Sequence, residues 1–229
     1  CGSRLAKKGV HEEALAVFEK ALSIKKDVPA VLGLVVNSLS ALGRSKESAE
    51  KLSEILVEFP HSREIRILLI DCLIEAGEIA EAEKTVVRLV EMEPANYPKF
   101  LELANIYLDR DDVASTTRIL SMSAEHMLVG GQAEQFSALV SSILQKDPDQ
   151  LDALRLQARY CSWQRDEEAL CSSLAKLTQV ARDAGSVEDE RYALLQLTML
   201  VPHDTGYADR LREINAEYGF EGTESEDNL

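Results

Sequence analysis

Gly9, Gly43 and Gly77 stand 34 residues apart, and Asp111 occupies the next step of the same interval. Five residues beyond each lies a small side chain: Ala14, Ser48, Ala82 and Thr116. A chain that repeats at this interval does not close one core. Each unit leaves an apolar face bare, and the next unit covers it. Thirty-four residues hold two amphipathic helices and their turns, so the interval predicts an all-α solenoid of stacked helical pairs.

The intervening positions obey the same ruler. Half a helix before the turn stand Leu5, Leu39, Leu73 and Tyr107, and upstream of them Cys1-Gly2, Val35-Val36, Leu69-Ile70 and Leu103-Ala104. An earlier large apolar position reads Leu32, Arg66, Phe100, and Arg66 departs from the pattern. In the second helix the columns read Phe18, Leu52, Val86, Leu120 and then Ala21, Ile55, Leu89, Ser123. The small residues let the two helices of a unit approach closely. The glycines stand where a helix ends in a left-handed residue. Pro60 and Pro94 stop a second helix before the next unit begins.

These columns resemble the tetratricopeptide repeat family, whose signature runs from a large residue through Leu-Gly and Tyr to Ala, Phe and a closing Pro. Phe100-x-x-Leu103-Ala104-x-x-Tyr107 carries the resemblance best, and Gly9 to Leu22 looks like a family second helix. The resemblance covers residues 1 to about 120 and implies a right-handed α-solenoid of antiparallel helix pairs whose first helices line a concave surface where partners lie.

Beyond residue 120 the beat breaks. Only 20 residues separate Asp111 from Gly131, room for one helix instead of two. The expected helices run over about 112–129, 132–146, 151–163, 166–184, 187–200 and 206–217, with the first of them serving both its predecessor and its successor. Ser186 and Asp189 have capping-box spacing. The expected organisation is therefore repeats over 1–128 with a truncated first unit, irregular helical repeats over 129–218, and an acidic, disordered tail over 219–229. Cys1-Gly2-Ser3 has the form of a processed lipoprotein start, but the helical pattern already under way there favours a cut through a longer chain.

Composition narrows the function. Of 229 residues 45% are hydrophobic but only 5% aromatic, which suits close helix packing. Asp and Glu outnumber Lys and Arg by 40 to 25, a formal charge of −15, so no basic footprint for nucleic acid is expected. Cys1, Cys72, Cys161 and Cys171 form no C-x-x-C pair, which favours a reducing compartment such as the cytoplasm. No apolar run is long enough for a membrane span. His11, His61, His126 and His203 are scattered, without metal-ligand spacing, and neither a phosphate-binding glycine loop nor a nucleophile elbow occurs. Neither a cofactor, a metal nor catalysis is expected.

What remains is binding. One off-core column of the first helices reads Asn37, Asp71, Asn105. An asparagine amide both donates and accepts, so this column is expected to hold the backbone of an extended peptide. Ile67, Ile74, Leu101 and Leu108 are the expected receivers of its side chains. The acidic set Glu64, Asp71, Glu75, Glu102 and Asp109 favours a neutral or basic ligand. On a later helix Arg155, Arg159 and Trp163 recur at intervals of four, the first two as expected partner contacts and the tryptophan as core or anchor. The expected function is a non-enzymatic protein–protein interaction scaffold. The alternatives are the non-catalytic module of a larger enzyme or regulator, and a lipid-anchored envelope assembly factor.

Overall fold

A computed structural model describes residues 1–220, so the residues of the expected acidic tail from 221 onward lie outside it. Among the described residues there are thirteen α-helices and no strand. In order they are α1 Gly2–Lys7, α2 His11–Leu22, α3 Pro29–Ala41, α4 Ser45–Glu58, α5 Arg63–Glu75, α6 Ile79–Met92 and α7 Pro98–Asp109. After these come α8 Val113–Val129, α9 Ala133–Lys146, α10 Leu151–Gln164, α11 Glu167–Ala184, α12 Val187–Leu200 and α13 Thr205–Tyr218. The fold is an α-solenoid of antiparallel helix pairs. It comprises two compact units, Cys1–Leu103 and a second beginning at Ala104, with the boundary inside α7.

One turn is reused throughout. Gly9, Gly43 and Gly77 have φ of 79°, 71° and 80°, and Asp111 has φ of 59° although it carries a side chain. At Gly77 the amide of Glu78 donates to the Leu73 carbonyl at 2.9 Å, and that of Gly77 to Ile74 at 3.0 Å. This is the Schellman closure, which satisfies the last carbonyls of a helix. The same bond joins Val10 to Leu5, Arg44 to Leu39 and Asp112 to Tyr107, so the apolar column before each turn is also the column of acceptor carbonyls.

The beat does not end at Asp111. Gly131, Arg165, Gly185 and Gly219 also have positive φ. Their steps alternate between 20 and 34 residues, so a 54-residue period replaces the simple repeat: Asp111, Arg165, Gly219 and Gly131, Gly185. Pro94, Pro148 and Pro202 keep the same period. A helix with a tight turn at each end, α8 and then α11, is interpolated once per period. Arg165 sits at the left-handed C-terminal position of α10 with φ of 58°. A side chain pays about 1 kcal/mol there that glycine does not. Arg165→Gly is therefore expected to raise the stability of the second unit by about 1 kcal/mol, measurable by urea unfolding.

In the first unit α3 lies beside α5, while α2 packs on α3, α4 on α3 and α5, and α6 on α5. Ala14, Ser48 and Ala82 are fully enclosed, as their place between paired helices requires, and Phe18, Leu52 and Val86 fill the adjoining core. Gly2 belongs to this logic, because a Cβ there would stand 2.5 Å from the Phe18 ring. Arg66, the exception in the apolar column, is buried nonetheless. Its Nη2 donates to the Pro60 carbonyl at 2.6 Å and its Nε has no partner. Burial, and secondarily Arg88, lowers its pKa.

In the second unit α8 packs on α9 and α10, α10 on α9 and α11, α11 on α12, and α12 on α13. Leu154, Ala158, Leu174, Leu177, Ala193 and Leu197 make one continuous core across α10, α11 and α12. Two carboxylates on α12 are buried beside it. Glu190 accepts from Arg182 at 2.9 Å and from Arg210 at 2.8 and 3.2 Å, tying α11 and α13 to α12. Asp189 accepts from Arg155 of α10 and, at 2.6 Å, from Ser186. The expected capping box is therefore corrected: the Ser186 hydroxyl donates to the Asp189 carboxylate and makes no cap to a backbone amide.

Candidate functional site

The first helices of the first unit present the expected polar column. On α3 the buried residues are Leu32, Val35, Val36, Ser38 and Leu39, which leaves Asn37 on the outer side, exposed. On α5 Asp71 is exposed between the buried pair Ile70 and Cys72. Ile67 and Ile74 are half-buried, and Leu101 is buried in the core, with little surface to offer a ligand. Asn105 and Leu108 belong to the second unit, where Asn105 is exposed and Leu108 half-buried.

Three acidic residues on this side of the first unit, Asp71, Glu75 and Glu102, carry internal partners. Glu75 accepts from the Ser40 hydroxyl, which ties α3 to α5. Lys99 donates to Asp71 at 2.6 Å and to Glu102 at 2.8 Å. Burial opposes the charge on Lys99, but these two carboxylates outweigh it and hold its pKa above the ordinary lysine value. Lys99 thus offsets part of the acidity that Asp71 and Glu102 bring to this side.

The second unit carries a cleft of about 590 Å³ along α8, α10 and α12. Its floor is Leu156, Ala158, Leu170 and Leu174; its polar walls are Arg155, Arg159, Tyr192 and Gln196, with Ser121 and Ser162 beside them. Arg155 and Arg159 lie one helical turn apart on α10, and Tyr192 and Gln196 one turn apart on α12. The two arginines are held differently. Arg155 is fixed by the buried Asp189 and, at 3.2 Å, by Asp152. Arg159 is exposed, and its charge contact is a loose one at 3.9 Å with the exposed Glu125. Arg155 is a fixed wall, and Arg159 is the cation able to change partner.

Sequence reasoning brought Arg155 and Arg159 to this place but missed Tyr192 and Gln196. These arrive from a helix some 37 residues further on, and only the packing of α12 beside α10 through α11 unites them. The core reading of Trp163 is corrected: it is 45% exposed. The buried stripe of α10 is Ala153, Leu154, Leu156, Ala158 and Cys161, and Trp163 falls outside it, two residues past Cys161.

Other chemistry is sparse. Among the described residues no group of His, Cys, Asp and Glu is placed to hold a metal ion. Cys72 and Cys161 are buried, Cys171 half-buried and Cys1 exposed, all as free thiols. Burial, followed by Asp71 and Glu75, pushes the Cys72 thiol up to about 12, which suppresses the reactive thiolate. Among the described residues no helix is long and apolar enough to cross a membrane.

Residues 39–105 match the tetratricopeptide repeat family model. No curated protein matches the chain in sequence. Solved structures similar to it include the C-terminal part of a TPR repeat-containing protein from Cytophaga hutchinsonii, 12% identical over 96% of this chain and 95% of that one, with a TM-score of 0.40. A tetratricopeptide repeat protein from Parabacteroides merdae is 10% identical over 93% and 95%, with a TM-score of 0.42. MamA from Desulfovibrio magneticus, residue 41 to its end, is 14% identical over 81% and 92%, with a TM-score of 0.42.

Proposed function

We propose, for a chain that carries tetratricopeptide repeats over residues 39–105, that its work is to bind another protein, and that the second-unit cleft is where it does so. Solenoid repeats offer extended surfaces for such binding. The observation that carries the reading is the cleft itself: an apolar floor with Arg159, Tyr192 and Gln196 converging over it. A concave, mostly apolar site with a few converging polar groups is the usual form of a recognition site. Arginine and tyrosine are also the side chains that dominate interface energies.

The partner segment suited to this cleft places an apolar side chain on the half-buried Leu170 and a carboxylate or backbone carbonyl against Arg159. For the first unit the reading differs. Asn37 can bond the backbone of a neutral extended segment, while Asp71 already holds Lys99. The neutral or basic preference is therefore proposed for the first unit only.

Arg159→Glu tests the reading. The residue is exposed, so the fold should keep its melting temperature. Proteins captured from the native cell by the wild-type chain are expected to be lost, with affinity for an isolated partner falling about tenfold or more. Retention of the same partners at the same affinity overturns the assignment of this cleft.

A further inference from the structure

The first unit contains a second opening, unrelated to the polar column on α3 and α5. A cavity of about 360 Å³ lies between α2 and α4, over α3. Leu22, Leu32, Val35, Val36, Leu52 and Ile55 make its apolar lining. Its rim is charged, with Lys26 paired to Glu58 at 2.5 Å and Lys51 to Glu19 at 2.5 Å. Glu54 also lines it, with no cation recorded against it.

The repeat itself explains why the space is there. The position of Leu32 is held by Arg66 one unit later and by Phe100 a unit after that. Both larger side chains are buried. Arg66 reaches the carbonyl of Pro60 at 2.6 Å, and Pro60 is the residue that corresponds to Lys26 on the cavity rim. In the next two repeats, then, the chain supplies a long or aromatic side chain at this position, and at Leu32 it supplies a shorter one.

We infer that the cavity between α2 and α4 receives an aromatic side chain from a partner protein, which occupies the space that a side chain at the position of Arg66 or Phe100 would fill. Phenylalanine is the residue with an internal precedent. Its flanking residues are basic, because Glu54 is without a counter-ion and the rim holds three carboxylates against two lysines. This site is in a different unit from the cleft of Arg159, so either assignment can fail without the other.

The full chain, labelled with 15N, is titrated with the tripeptides acetyl-Lys-Phe-Lys-amide and acetyl-Lys-Ala-Lys-amide. The phenylalanine peptide is expected to shift the amides of Leu22, Leu32, Ser48 and Ile55 saturably. The alanine peptide is expected to bind roughly tenfold more weakly, the least that burial of a ring provides. Leu32→Phe puts a ring at this repeat position, where Phe100 is buried two repeats later, so it should fill the cavity and abolish both responses while the melting temperature holds or rises. The inference is overturned by equal responses to the two peptides, or by a response that survives Leu32→Phe. A Leu32→Phe chain that melts lower or fails to fold also overturns it, because the space is then absent in solution. Saturable binding of benzyl alcohol without any response to the phenylalanine peptide marks a small-molecule cavity and likewise removes the partner.

Discussion

Glu190→Ala is expected to cost the second unit about 3 kcal/mol. The carboxylate is buried and receives three bonds from two guanidiniums on different helices. Removing one member of a buried charged network is expensive because its partners lose charge-assisted bonds. Arg182 and Arg210 keep 45% and 31% of their side-chain surface exposed, so they recover water, and the cost stays at the low end of the range. Burial raises the pKa of Glu190, yet the bonds from Arg210 and Arg182 outweigh it and leave the pKa below the ordinary glutamate value. The unfolded chain therefore takes up the proton first as pH falls. The stabilisation is fully present above the unfolded value of about 4.3 and is lost as pH drops through the lower folded value. Glu190→Gln should flatten the decline of stability below about pH 4, read by urea unfolding at a series of pH values.

Phe136→Ala is expected to cost about 4 kcal/mol in the same unit. The ring is completely enclosed and stands 6.5 Å from that of Tyr160, joining α9 to α10. Its loss removes a large buried surface and leaves a cavity that two helices fixed by their own turns cannot collapse. Phe136→Leu, which conserves most of the volume, should cost less than about 1.5 kcal/mol. Stability in a repeat protein is local to units and their neighbours. Hydrogen exchange of the α9 and α10 amides should therefore report the loss, while the α2 and α3 amides keep their protection. Equal deprotection of both sets would show that the chain unfolds as one body.

The helices were legible because the forces that end them are local. Pro60, Pro94, Pro148 and Pro202 and the left-handed turns can be located by residue type, and Asp111 was found where glycine had been expected because the interval demanded a turn. The 54-residue period lacks such local markers. Arg165 takes a left-handed conformation without a turn-forming side chain, so nothing local announces it; only the step between the prolines does. Arg66 in an apolar column looked like a departure, and packing made it part of the core. Trp163 reversed that lesson: large and apolar, it lies at the edge of the α10 stripe and stays exposed.

The candidate surfaces divide along the same line. By itself the sequence determined the helical pairs, their turns and their small packing residues, since these depend on spacing along one chain, and it determined that Asn37 and Arg159 face outward from single helices. Tertiary structure alone decided which outward residues meet. Tyr192 and Gln196 join Arg155 and Arg159 because α10 and α12 both pack on α11. Asp71 is claimed by Lys99. Leu32 lines a cavity together with residues of α2 and α4 because both helices pack on α3. A helix follows from bonds a few residues apart, whereas a site is made by surfaces far apart in sequence, and their meeting depends on the volume of everything packed between them.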